Sequence, residues 1–394
     1  TPYRYQYLPS HNYNYYNSTF RTHFIQIYQM SFKIEYQELV LVEANPEQAR
    51  ITNRNSYMSW GYPVLTIEEY IEREEILANN EFTSENFKVW VLISRTNYNS
   101  INSNNTEPII YSQCETFKRK ALITLSSGQV KEATCYCITA LFTPPQYRHK
   151  GYATMMMRLL NDKLRFEYKA EFSYLYSEIG PDFYTRLGWK IFAHKEIRFD
   201  VDDKFLTVSK NSEIIIAINQ SNLESVINKD CELIKKEITK LNKKSVVILP
   251  TKPAFDWLFQ KTKFYSEFHS STEDPRLFGA IILKGNNYNE EPLERFIMWN
   301  HDFKENELLI VRFRSDSQYM TKLLIHQAMQ EANKFQFKRI ILWNPDLSLF
   351  NISKDLNIFD GEVVERTESL PSLAWYADDD DNVNWILNEK YTWV

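Results

Sequence analysis

The segment Thr139–Trp189 constrains this chain more than any other. Strand-forming Thr139–Phe142 runs through Thr143-Pro144-Pro145 into the turn Arg148-His149-Lys150-Gly151-Tyr152-Ala153. A helix is expected next, with Met155, Met156, Leu159, Leu160 and Leu164 on its core face. Phe172–Tyr176 reads as a strand, and Pro181–Trp189 as a short helix ended by Gly188, with a last strand behind it. A strand that turns directly into an amphipathic helix has special chemistry at the turn. Gly151 lets the backbone approach a ligand closely. The helix start offers unpaired N–H groups and a positive dipole end. Such a turn cradles a pyrophosphate, and Arg148 and Lys150 add charge.

The flanking text supplies a scaffold. Leu39–Val42 reads as a strand, and helices are expected at about 46–59 and 66–79. The second opens on Thr66-Ile67-Glu68-Glu69, a capping-box pattern. Strands are expected at Val89–Ile93, 109–126 and 133–143, with a polar loop at 97–107. The second half repeats the order. Ile214–Ile216, Ile281–Leu283, Phe296–Trp299 and Leu308–Val311 read as strands, with helices at about 221–241 and 253–267. A helix at 317–334 carries Met320, Leu323, Leu324, Ala328 and Ala332 on one face, and Arg339–Trp343 is a strand. Its preceding turn, Arg314-Ser315-Asp316-Ser317, has no R-x-x-G-x-A, so the second copy keeps the scaffold and loses the loop. The expectation is an α/β (α+β) chain of two tandem domains, 34–204 and 205–394, with mixed, mostly antiparallel sheets flanked by helices.

Composition narrows the function. A chain of 394 residues with 43% apolar and 25% charged side chains can bury a large core. A net charge of −5 sets aside a general nucleic-acid coat, and no apolar run approaches the ~18 residues of a membrane span. Nucleic acid and membrane are therefore not expected partners. Cys114, Cys135, Cys137 and Cys231 show no C-x-x-C spacing. Cys135 and Cys137 would share one strand face as packing residues, reduced as in a cytoplasmic compartment. No metal site is expected. Residues 1–29 contain no Asp or Glu, so 1–33 is read as a flexible tail, with a mitochondrial leader as the alternative.

The turn at Arg148–Ala153 resembles the acetyl-CoA signature of the GNAT acetyltransferase superfamily, R/Q-x-x-G-x-G/A. Phe183-Tyr184, followed by Gly188-Trp189, resembles a later motif of that family. Within it, the chain is similar to fungal lysine N-acetyltransferases of lysine degradation. That similarity rests on Tyr147–Ala153, Tyr176-Ser177-Glu178-Ile179-Gly180, Leu370–Tyr376 and Asn388–Trp393. The resemblance implies acetyl-CoA as co-substrate and the side-chain amine of free L-lysine as acceptor. Alternatives are a protein lysine, another small amine, or a non-catalytic acyl-CoA-binding protein. The oligomeric state stays open.

The resemblance also implies residue roles. Backbone groups of Leu141, Phe142 and Thr143 would hold the pantetheine, and Arg148, His149, Lys150, Gly151, Tyr152, Ala153 and Thr154 the pyrophosphate. Tyr184 would be the acid that protonates the leaving thiolate. A lysine amine has a pKa near 10.4, so only about 0.04% is neutral at pH 7 and a base is needed. Many members of the family place a Glu on the strand matching 134–143, but here it offers Thr, Cys and Tyr. Glu178, the terminal carboxylate of Val394, or a water chain remain open as the base, while His301 reads as structural. The acceptor site is expected between Trp60 and the pair Trp375-Tyr376, whose rings suit a four-carbon stem. The run Asp378–Asp381 reads as a solvated tail.

Overall fold

The computed structural model describes residues 38–95, 108–125, 127–202, 204, 213–241, 243–268, 274–285, 288, 292–350, 360–378 and 382–393. The polar loop at 97–107, the tail 1–33 and Val394 lie outside the described residues. The chain divides into two compact units. In the smaller one, 1–40 with 93–109, the Arg95 amide donates to the Glu38 carbonyl at 2.6 Å. The larger one holds the rest of the chain.

In chain order the elements begin with β1 (Leu39–Glu43), α1 (Pro46–Trp60), α2 (Ile67–Ala78), α3 (Glu81–Asn86) and β2 (Phe87–Ser94). Then come β3 (Ser112–Thr124), β4 (Val130–Phe142), α4 (Tyr152–Asp162), β5 (Phe172–Ser177), α5 (Asp182–Thr185), β6 (Lys190–Ile191) and β7 (Lys195–Asp200). The second half supplies β8 (Ile215–Ile218), α6 (Leu223–Ile238), β9 (Ser245–Ile248), α7 (Lys252–Ser266), β10 (Gly279–Ile282) and β11 (Phe296–Asp302). It ends with β12 (Glu307–Arg314), α8 (Gln318–Lys334), β13 (Arg339–Trp343), β14 (Glu362–Glu365), β15 (Leu370–Trp375) and β16 (Asn384–Trp385). The expected capping box is present at α2. Thr66 Oγ1 accepts from the Glu69 amide at 3.2 Å, and Glu69 returns a carboxylate to the Thr66 amide at 2.7 Å. A second box, Asn45 with Gln48, starts α1. No described helix is long and apolar enough to cross a membrane.

Two sheets share one plan. In the first, β2, β3 and β4 pair antiparallel and β4 pairs β5 in parallel. In the second, β8, β10, β11 and β12 pair antiparallel and β12 pairs β13 in parallel. The two halves then exchange a strand. β15, from the second half, lies between β5 and β6 of the first. β7, from the first half, lies between β13 and β14 of the second. β9 also crosses over, extending the far end of β3, and β16 pairs β9 in turn. These strands cross the division expected at 204/205.

Apolar layers lock the exchange. One face of the first sheet packs Phe117, Cys135, Cys137 and Tyr174 against Trp257 of α7, Trp375 and Trp385. Its other face receives Met156, Met157 and Leu160 of α4, all fully buried. In the second sheet, Ile297, Leu308 and Leu342 pack on α8. Helix α7 feeds three clusters, through Trp257, through Phe255 with Phe259, and through Phe264 with Tyr265. A helix that is apolar on several faces is a buried helix.

Candidate active site

β4 and β5 part company at their ends. Their parallel register stops at Ile138↔Leu175, while β4 continues to Phe142. Between the pairs Glu115↔Thr139 and Gln113↔Phe142 the register shifts, and Ala140 takes a left-handed φ of 52°. The bulge turns the strand end out of the ladder, so backbone groups on the β5 side of 139–142 are not used by that strand. The turn that follows is built as its sequence demands. Arg148 Nε donates to the Thr143 carbonyl at 3.0 Å, and its guanidinium lies 5.5 Å from the Phe142 ring centre. His149 and Gly151 are both left-handed, at φ 60° and 81°. Gly151 caps α4, whose first amides, those of Tyr152, Ala153 and Thr154, have no partner within the helix. Tyr152 itself is buried against Tyr111 and Tyr147.

A cavity of about 900 Å³ opens from this splay. Thr139–Phe142, Arg148, Glu178, Tyr184 and Trp60 line it from the first half. Lys261, Asp302, Arg366, Lys390 and Trp393 line it from the second. Tyr184 is buried, packs edge-on to Phe183 and Trp189, and burial pushes its phenol well above the usual range. Glu178 is solvent-exposed and its carboxylate accepts from the Ser369 hydroxyl at 2.7 Å. Trp60 meets Phe142 edge to face at 5.9 Å. His301 also faces the cavity, but its Nε2 is bound to Glu331 at 2.8 Å in a buried pair, and burial lowers its pKa.

Two expected acceptor residues sit elsewhere. Trp375 stacks on Phe172 and donates its indole N–H to Asp378, and the Tyr376 hydroxyl lies 2.6 Å from Ser173 Oγ. Neither lines the cavity: β15 turns Trp375 into the core of the first sheet, and the Tyr376 hydroxyl is held at Ser173. The carboxyl group that sequence reasoning missed is Glu115. It lies on β3, paired with Thr139 beside the bulge, and shares its strand face with Gln113 and Phe117. It lines the cavity, and among the described residues its carboxylate makes no hydrogen bond or ion pair. Burial, with Glu74 nearby, pushes its pKa up to about 8, against the pull of Arg73 and Lys261. Such a group can take a proton near neutral pH.

The matching place in the second half is occupied by the chain itself. Ile297↔Phe313 and Trp299↔Ile310 enclose the same kind of bulge, so Phe313 stands where Phe142 does in the first half. The Phe313 amide donates to Glu389 at 2.9 Å. Arg312, fully buried, holds Asp230 through two bonds of 2.8 Å and Glu389 through one of 2.7 Å. The turn before α8 presents the Asp316 carboxylate, bound to Arg295 at 2.8 Å. An acyl group and a phosphate therefore have no equivalent seat there. Among the described residues no group of three or more His, Cys, Asp or Glu side chains is placed to hold a metal ion.

Comparison with known proteins bears on this geometry. The family described as the LYC1 GNAT-like C-terminal domain matches residues 205–394, and the acetyltransferase (GNAT) domain matches 123–192. A protein of Yarrowia lipolytica named lysine acetyltransferase is 22% identical over 408 residues, covering 89% of this chain and 98% of its own. Among solved structures, a conserved protein of unknown function from Enterococcus faecalis V583 is similar with a TM-score of 0.56 at 13% identity. It covers 86% of this chain and 73% of its own. A GCN5-related N-acetyltransferase from Kribbella flavida follows at a TM-score of 0.53 and 14% identity, covering 86% and 71%. With two GNAT matches laid end to end on two sheets of one plan, the chain carries GNAT acetyltransferase domains in a tandem arrangement.

Proposed function

We propose that this acetyltransferase moves the acetyl group of acetyl-CoA to the side-chain amine of free L-lysine, as a step of lysine degradation. The observation that carries the reading is one cavity holding a strand splay, a buried Tyr184 and an unpartnered Glu115 of raised pKa. The name of the Yarrowia lipolytica relative supports lysine as the acceptor. Backbone groups at Leu141, Phe142 and Thr143 hold the pantetheine arm. The turn from Arg148 through Thr154 holds the pyrophosphate with backbone amides and two cations. Bound there, acetyl-CoA supplies an activated acyl carbon.

The protein's part is positioning and proton management. Glu115 accepts a proton from the lysine ammonium, so that a neutral amine forms a bond to the acyl carbon while the carbon–sulfur bond breaks. Tyr184, kept protonated by burial, gives its proton to the departing sulfur, and the second proton of the amine, lost as the amide forms, restores the phenol. This assigns to Glu115 the task for which Glu178, the Val394 carboxylate and a water chain were the alternatives. The test is mass-spectrometric product analysis of the full chain with acetyl-CoA and a panel of free amino acids, polyamines and lysine-bearing peptides. Nε-acetyl-lysine with equal release of free thiol is the expected product. Acetylated peptide or polyamine with unreacted lysine would contradict the reading.

A further inference from the structure

The far wall of the cavity is unusually cationic for a buried surface. Lys390 Nζ lies 3.8 Å from the Trp393 ring centre and 4.0 Å from that of Trp343. Lys261 Nζ lies 5.1 Å from the Trp393 centre, and the Arg366 guanidinium 3.6 Å from the Trp343 centre. Two indoles thus gather three cations, all lining the same cavity. Arg366 is only 6% exposed and donates to the carbonyls of His194 at 3.2 Å and Ser369 at 3.0 Å. Its Nη2 is buried with no partner. Among the described residues, neither lysine makes a hydrogen bond or ion pair. Asp302 faces both lysines, Glu74 faces Lys261 and Glu178 faces Lys390, yet none closes an ion pair. The Asp302 carboxylate is held instead by the amides of Lys304 and Glu305, both at 3.1 Å. Burial lowers the ammonium of Lys261 to about 8 and that of Lys390 to about 7. Cations desolvated to this degree are costly unless a charge of opposite sign joins them.

We infer that Lys261, Lys390 and Arg366 form an anion seat that receives the α-carboxylate of the acceptor, which restricts acceptors to free amino acids with a terminal amine. The inference rests on the amine-acetylating function proposed above and adds the acceptor's class. The aromatic walls of Trp343 and Trp393 flank the seat. A carboxylate held there leaves the amine at the other end of the side chain within the cavity that Glu115 also lines. A diamine offers this wall only a second positive charge, and a lysine within a protein offers it no carboxylate.

The test uses calorimetric titration of the full chain, loaded with coenzyme A, with three probes. L-lysine and 6-aminohexanoate carry the carboxylate, and pentane-1,5-diamine does not. Both carboxylates should bind at least about 10-fold more tightly than the diamine, the range of one charge-assisted hydrogen bond. Lys390→Met and Lys261→Met should each weaken L-lysine by about 10- to 100-fold and leave acetyl-CoA affinity and melting temperature unchanged. A diamine that binds as tightly as lysine overturns the seat, as does a protein that binds none of the three. So does lysine affinity unchanged in both variants. Product analysis separates this result from the parent reading. Carboxylate-dependent binding without acetylation would leave the seat standing and remove the proposed reaction. Efficient acetylation of the diamine would do the reverse.

Discussion

In the proposed mechanism Glu115 and Tyr184 divide the proton traffic, and their surroundings push both acids the same way. Burial disfavours the charged form, so the Glu115 carboxyl rises to about 8 and the Tyr184 phenol rises well beyond its usual range. The base form of Glu115 is the deprotonated one, scarce below pH 8 and dominant above it. The rate kcat/KM should therefore climb with pH and level off above about 8. Glu115→Gln should remove that limb and lower kcat/KM by about 10²- to 10⁴-fold, the range of general acid–base catalysis. A Gln variant keeping more than a tenth of wild-type activity would take the base role away. Tyr184→Phe should lower kcat by about 10²-fold or more with little change in KM for acetyl-CoA, read by steady-state kinetics. A tenfold or smaller loss would return the ring to packing. The shape of the turn, with its left-handed Gly151 before α4, was legible because it is local, fixed by neighbouring residues. Glu115 was not, since its neighbours Arg73, Glu74 and Lys261 arrive from α2 and α7. Trp375 and Tyr376 misled for the converse reason, because an aromatic pair reads alike in a wall and in a core.

Elements were legible where period and caps agree. The α2 box and the α8 face appear where the sequence places them. In α4 the buried residues are Tyr152, Met156, Met157 and Leu160; of the expected face Met156, Leu160 and, just beyond the helix, Leu164 are fully buried, while Met155 and Leu159 are half-buried. The strand β9 and the helix α3 were missed, each too short to show a period. The turn of residues 390–392 has a role that only packing reveals. Tyr391 donates to the Ile248 carbonyl at 2.6 Å, Thr392 accepts from Tyr174 at 2.9 Å, and Glu389 fills the bulge of β12. Glu389→Ala leaves the Phe313 amide without a partner and removes one of the two acceptors of Arg312 Nη1, which keeps the Phe313 carbonyl. It should cost about 3 kcal/mol of stability by chemical denaturation while acetyl-CoA affinity holds. An unchanged denaturation midpoint would show that water replaces the carboxylate without loss.

At the scale of the molecule, two copies of one plan have specialised. The repeat could be read from the sequence, because each half carries its own succession of strand and helix periods. The exchange of β7 and β15 could not, because a strand's periodicity fixes its faces but not which sheet receives it. That exchange pairs strands of both halves within the larger compact unit, where Lys261, Arg366 and Lys390 line a cavity that begins at a first-half bulge. A chain with two GNAT-like clefts, one of them filled by Glu389, is expected to hold one acyl-CoA. The most direct measurement is the stoichiometry of acetyl-CoA binding by calorimetry, for the wild type and for Gly151→Asp. Gly151 sits at φ 81°, and the aspartate would place a side chain and a negative charge at the start of α4. The expected result is one acetyl-CoA per chain, with affinity falling by about 100-fold or more in the variant while the fold survives. Two acetyl-CoA molecules per chain, or unchanged affinity in Gly151→Asp, would contradict it.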